Sequence, residues 1–230
     1  MIVSHEYRFI FLKTKKTAGT SIELALSRLC GADDVIPPIT ESDEALRAAG
    51  SEPRNWRMHG WWQSRRPLFK RSWLSVSAQD YGFYNHMPAE EARALINDDK
   101  VWRSYFKFAF DRNPWDRQVS FYHHRYRGKA DPPPFTDFIY NDRRARLNNY
   151  DIYSIGGEVA VDFVGRYESL EADLRHALDQ LGLALDSELP RAKVGIRRSA
   201  APYRDYYDGD TRAIVGDWYQ REIELLDYAF

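Results

Sequence analysis

The stretch FIFLKTKKTAGTSIELAL, residues 9–26, limits the fold more than any other part of the chain. Phe9 to Leu12 is a short apolar run with the length of a buried strand. After Ser21, the apolar residues Ile22, Ala25, Leu26 and Leu29 recur at helical spacing, and Gly31 is placed to stop that helix. The residues between must therefore carry the chain from a strand into a helix N-terminus. Unpaired backbone N–H groups and the helix dipole favour an anion there. Lys13, Lys15 and Lys16 add positive charge, and Thr17, Thr20 and Ser21 add hydroxyl donors. The chemistry of the loop points to a phosphate or a sulfate. A nucleoside triphosphatase loop would place its lysine directly after a second glycine, whereas here Thr20 follows Gly19 and Lys16 precedes it. A plain basic turn capping a helix stays open at this point.

The rest of the chain repeats the same alternation. Tyr105 to Phe110 alternates as a strand, and Asn113-Pro114 opens a helix whose first turn has its backbone angle preset by proline. Pro88 starts a short helix with Ala92, Leu95 and Ile96 on one face. Val161 to Tyr167 is a further strand, and Ser169 to Leu181 a helix ended by Gly182. The first strand is expected to begin by about Tyr7. Strands alternating with helices predict an α/β fold, a single domain with a central, mainly parallel sheet flanked by helices. Ligands collect at the carboxyl ends of the strands in such sheets. Residues 50–73 fall outside the pattern: Pro53, Gly60 and Pro67 break any period, which predicts a long loop or insertion.

A second anion site is written into FKFAFDRNPWDRQVSFYHHR, residues 106–125. Arg112 closes its strand, and Ser120 comes eight residues later on the second turn of the next helix. Helical side chains lean toward the N-terminus, so the two can converge on one small anion. The competing possibility is that Arg112 pairs with Asp111 or Asp116 and that Ser120 is an ordinary helix serine.

Composition narrows the classes. With 230 residues, of which 43% are apolar and 15% aromatic, the chain can bury one sizeable core. A net charge of −1 makes any basic site local and argues against a general nucleic-acid binder. Cys30, the one cysteine, excludes an internal disulfide framework, and no Cys/His spacing resembles a zinc site. His123 and His124 are adjacent and point apart on a helix. The early first strand leaves no room for a signal peptide, and no apolar run reaches the roughly 18 residues of a membrane span. The expectation is a cytoplasmic protein without membrane insertion; its oligomeric state is not readable.

The order KTKKTAGTS, RNPWDRQVS, GRYESLEADL and YRDYYDGDTRAIVGDWYQREIELLDYAF resembles the sulfotransferases that use 3′-phosphoadenosine-5′-phosphosulfate (PAPS), especially their carbohydrate sulfotransferase branch. The resemblance runs from about Phe9 to the C-terminus, apart from residues 50–73. It implies one sulfotransferase-like domain over residues 1–230, with an insertion or lid at 50–73 and a P-loop-like phosphosulfate-binding loop. It implies that Lys15, Lys16, Thr17, Ala18, Gly19, Thr20 and Ser21 surround the 5′-phosphosulfate, with Lys16 also holding the bridging oxygen as sulfuryl leaves. Arg112 and Ser120 match the pair that holds the 3′-phosphate. The family often has proline before the loop lysine and glycine after the threonine; this chain has Lys15 and Ala18. Lys193, Arg197 and Arg198 form a basic cluster that could close over the same phosphate or face solvent.

Moving an uncharged SO3 unit between two oxygens requires a base for the attacker and a counter-charge for the leaving phosphate. Among six histidines, His86 precedes the helix before the Arg112 strand, where the carbohydrate branch carries its base. His59 in the aromatic loop is the alternative, and either could instead be held by a backbone carbonyl. Glu23 is expected on the helix surface. No metal is required. Trp61 and Trp62, among the arginines of residues 53–73, are expected to meet an acceptor that is a small molecule or a saccharide. A P-loop-type kinase and a non-catalytic nucleotide-binding protein of the same fold stay open as alternatives.

Overall fold

The computed structural model describes residues 1–57, 82–142, 144–185, 189–190 and 201–230. At its centre lie three parallel strands, β2 (Phe9–Leu12), β3 (Phe106–Asp111) and β6 (Phe163–Arg166). Alternate side chains of a strand point to opposite faces, so an apolar run without polar interruption must be covered twice. Phe9, Phe11, Phe108 and Phe110 pack on one face under Ile22 and Leu26 of α1 (Gly19–Ser27) and Leu174, Ala177 and Leu178 of α8 (Leu170–Asp179). Ile10, Leu12 and Ala109 pack on the other, under α3 (Ala89–Ile96), Trp102 of α4 (Asp99–Ser104), and Ile152 and Tyr153 of α7 (Tyr150–Tyr153). The fold is the expected single-domain α/β arrangement with helices on both faces.

Several boundaries depart from the sequence expectation. The sheet starts earlier than Tyr7: Ile2–Ser4 forms β1, an antiparallel edge strand paired with β2 in the order β1-β2-β3-β6. A three-residue strand is too short to show a period. Helix α1 stops at Ser27 rather than running to Gly31. A two-stranded hairpin, β4 (Ser154–Ile155) with β5 (Glu158–Val159), turns through Gly156 and Gly157, both at positive φ. Between β1 and α3 lies the short helix α2 (Glu41–Glu44).

A third cluster sits beside the sheet on α5 (Pro114–Arg125). Trp115, Val119 and Tyr122 pack against Phe135 and Phe138 of α6 (Phe135–Asn141), Val215 of α9 (Gly209–Trp218), and Tyr219 and Leu226 at α10 (Gln220–Leu226). This packing anchors α5 at the end of β3 and so fixes the direction in which the chain leaves Asp111.

Only the first part of the 50–73 segment lies among the described residues, and that part belongs to the body of the fold. Arg54 pairs by its backbone with Ile36 and donates Nη1 to the Gly31 carbonyl (3.1 Å), so it is not a lid residue. Arg57 then bridges Gly82 in antiparallel fashion, and Phe83 N–H donates to the Trp56 carbonyl (2.8 Å). Arg57 and Gly82, the described residues on either side of 58–81, are thus paired with each other. His59, Trp61 and Trp62 lie outside the described residues, as do Lys193, Arg197 and Arg198. Among the described residues no helix is long and apolar enough to cross a membrane.

Candidate active site

Strands β2 and β3 run parallel, with Leu12 opposite Ala109, so both of their carboxyl ends emerge on the same side of the sheet. The loop after β2 and Arg112 after β3 are brought together there. Arg112 donates Nη1 to the Lys16 carbonyl (3.2 Å), Nε and Nη2 to Asp116 Oδ2 (2.9 and 2.6 Å), and its guanidinium lies over the Tyr167 ring at 4.0 Å. The sequence left open whether Arg112 pairs with Asp111 or Asp116; its ion pair is with Asp116. Asp111 instead accepts from the Arg112 backbone N–H (2.8 Å). Ser120 is half-buried on α5 one turn beyond Asp116, which puts it on the helix face that Arg112 grips. A guanidinium has five N–H donors, and these contacts use three.

The loop is unusual in its backbone as well as in its side chains. Lys16 (φ 66°) and Ala18 (φ 57°) are both left-handed, a conformation that non-glycine residues avoid. No side chain caps α1, and its first turn has no acidic residue. Gly19 is required by packing: a Cβ there would sit 2.7 Å from Lys13 Cγ and 3.3 Å from the Thr14 carbonyl. The Thr17 hydroxyl, nearly inaccessible, shares a hydrogen bond with Thr14 Oγ1 (2.8 Å), which in turn donates to the Phe110 carbonyl. Thr17 thereby ties the loop to β3. Thr20 and Ser21 are buried in the first turn of α1, and Lys15 and Lys16 are half-buried. Burial first, then the Arg117 charge, lowers the Lys15 pKa. Ala18 stands where the resemblance leads one to expect glycine, and its left-handed φ is the conformation that glycine adopts without strain. Ala18→Gly should therefore stabilise the protein by about 0.5–1 kcal/mol. Thermal unfolding should register a rise of roughly 2 °C, and an unchanged or lower Tm would contradict the strain.

Two charged residues are placed otherwise than the sequence suggests. Lys13 does not contribute to the loop's charge: it is buried, 2.8 Å from Glu23 Oε2 and donating to Asn85 Oδ1 (3.0 Å). Glu23 is not on a helix surface but fully buried, because every face of α1 is covered, and Arg47 approaches it at 3.8 Å. The pair neutralises itself beneath the loop.

His86 stands on this foundation. It has a left-handed backbone (φ 61°), and its Nδ1 lies 3.0 Å from the Lys13 carbonyl. A carbonyl only accepts, so Nδ1 carries the proton and Nε2 the lone pair. Burial, followed by the Lys13 charge, lowers the His86 pKa to about 3. The backbone-carbonyl contact foreseen from the sequence is present, and it occupies one ring nitrogen.

Beneath both sites lies a buried polar network that sequence reasoning missed. Fully buried Arg117 bonds Asp111 (2.5 Å) and Glu222 (3.2 Å) and stacks on Tyr219 at 4.3 Å. Burial opposes its charge, but Asp111, Tyr219 and Glu222 raise its pKa above the ordinary value. Asp111 also accepts from Tyr153 OH (2.9 Å) and Asn149 Nδ2 (3.1 Å). In DRNPWDRQVS the charges alternate as on a solvated helix face, so only the packing of α10 across α5 reveals which arginine is inside.

A mainly parallel sheet with helices on both faces, an uncapped helix N-terminus after β2 and an arginine after the adjacent β3 define an α/β protein with a P-loop-like arrangement. The chain matches the sequence model of the sulfotransferase family over residues 1–229 and belongs to that family. It is 32% identical over 101 residues to an uncharacterized protein of Archaeoglobus fulgidus, a match covering 42% of this chain and 83% of the relative. No solved structure matches.

Proposed function

We propose that this member of the sulfotransferase family transfers the sulfuryl group of PAPS to a hydroxyl or amine of a small molecule or saccharide. The observation that carries the reading is the 3.2 Å bond from Arg112 Nη1 to the Lys16 carbonyl, which brings the loop after β2 and the arginine after β3 together and so supports a ligand with phosphates at both ends. Residues 15–21 would surround the phosphosulfate, and Arg112 and Ser120 would take the 3′-phosphate with the N–H donors that Asp116 and Lys16 leave over. The acceptor oxygen or nitrogen attacks sulfur while the bond from sulfur to the 5′-phosphate oxygen breaks. The acceptor proton passes to His86 Nε2, and the Lys16 ammonium offsets the charge on the departing phosphate. A bound dianion would raise the His86 pKa from its low value, since opposite charge favours the protonated ring. The segment 50–73 beyond Arg57, with His59, Trp61 and Trp62, is proposed to contact the acceptor, and Lys193 and Arg197 to reach the cofactor.

Arg112→Ala is expected to weaken binding of adenosine 3′,5′-bisphosphate (PAP) by roughly 2–5 kcal/mol, as when one partner of a desolvated charge pair is removed. Adenosine 5′-phosphosulfate, lacking the 3′-phosphate, should lose much less. Calorimetry without magnesium decides the matter: equal losses would place the 3′-phosphate elsewhere, and wild-type protein indifferent to PAP would end the proposal.

A further inference from the structure

We infer that Asn149 is a positioning residue for the phosphosulfate loop, an assignment that rests on the reading just given. Asn149 precedes α7 at the position where an asparagine ordinarily caps the helix by accepting from its first backbone N–H groups. It makes no such cap. Its side chain, fully buried, turns instead to a peptide 134 residues earlier: Oδ1 accepts from Lys15 N–H (2.9 Å) and Nδ2 donates to the Lys15 carbonyl (3.0 Å). The second Nδ2 proton goes to Asp111 Oδ1 (3.1 Å). One side chain thus pairs with both backbone groups of Lys15, as a neighbouring strand would, and ties them to the carboxylate that also receives the Arg112 backbone N–H.

The residue type is set by this geometry. Only an amide offers one acceptor and two donors on a short stem. Aspartate would set oxygen against the Lys15 carbonyl and the Asp111 carboxylate. The next residue, Lys16, is left-handed and has its carbonyl held by Arg112, so consecutive residues of the loop are each held by a side chain from another part of the chain. The strained backbone at Lys16 and Ala18 needs such restraint, because conformations of this kind persist only where their surroundings over-determine them. Asn149 touches no reacting atom; it holds the loop in the shape that receives the 5′-phosphate.

The test separates the two ends of the ligand. Calorimetry with PAP and with adenosine 3′-monophosphate gives a ratio of affinities, which is the contribution of the 5′-phosphate. In Asn149→Ala this ratio should shrink about 5–10-fold, the size of one or two lost hydrogen bonds, while affinity for adenosine 3′-monophosphate stays within about twofold. An unchanged ratio, or equal weakening of both ligands, overturns the assignment. If wild-type protein itself shows no gain from the 5′-phosphate, the functional reading falls with it, which distinguishes that failure from the other. Hydrogen exchange in the wild-type protein supplies a measurement independent of whether the variant folds. The Lys15 amide, although in a loop, should be protected as strongly as amides of β3, and exchange at an unprotected rate would refute the clamp.

Discussion

An Arg117→Met variant is expected to lose about 3–5 kcal/mol of folding stability at neutral pH, the cost of removing one partner from a buried ionic cluster. Methionine fills much of the arginine's volume, so the loss reports charge more than packing. Asp111 and Glu222 would be left in the interior, both without their guanidinium. Burial already raises the Glu222 pKa, with Arg117 opposing it, so the variant must hold on Glu222 a proton that the unfolded chain releases above about pH 4. The folded variant then binds more protons than the unfolded chain. Its stability must therefore increase as pH falls from 7 toward 5, so the deficit against wild type narrows. Urea titrations at the two pH values measure both parts; a deficit under 1 kcal/mol at pH 7 would show that the cluster contributes little.

His86→Ala should lower turnover by about 100-fold or more and leave PAP affinity nearly unchanged, as for a group acting on the acceptor proton alone. A near wild-type rate would move the base to another residue, with His59 the next to replace. A second readout comes from acid. The folded-state pKa of about 3 lies below the ordinary 6.5, so as pH falls through 6.5 the unfolded chain takes up a proton that the folded one refuses. Stability must fall across that window and level off below about pH 3, by an amount on the order of a few kcal/mol. His86→Asn should flatten this part of the stability curve. A wild-type slope in that variant would mean that His86 is not held neutral.

The parts of this protein that are legible in the sequence are those whose chemistry is local. Strands β2, β3 and β6 and helices α1, α3, α5 and α8 announce themselves by period or by Pro88, Pro114 and Gly182, and α/β order results. Strand β1 is too short for a period, and the hairpin at Ser154–Ile155 is not among the expected elements although its Gly156-Gly157 pair is a turn signal. Charges mislead more than apolar residues do. Lys13 and Glu23, ten positions apart, cancel each other in the interior, and Lys13 looks identical to Lys15 and Lys16 until the burial of α1 is known. Asn149 lies 134 positions from the peptide it grips and belongs to no motif. A side chain whose partner is distant leaves no trace in spacing.

The meeting of Arg57 with Gly82 has a bearing on how such a protein can change over generations. Once the two ends of an excursion are joined by main-chain contacts, the cost of closing it grows only with the logarithm of its length, about 0.6 kcal/mol for each doubling. A change in the number of residues between positions 57 and 82 should accordingly add little to the closure cost itself. The register of β2 with β3 and the grip of Arg112 on Lys16 are both made by residues outside that interval. The length of chain between those two positions and the geometry at the strand ends are then separate variables, the second held by buried ions.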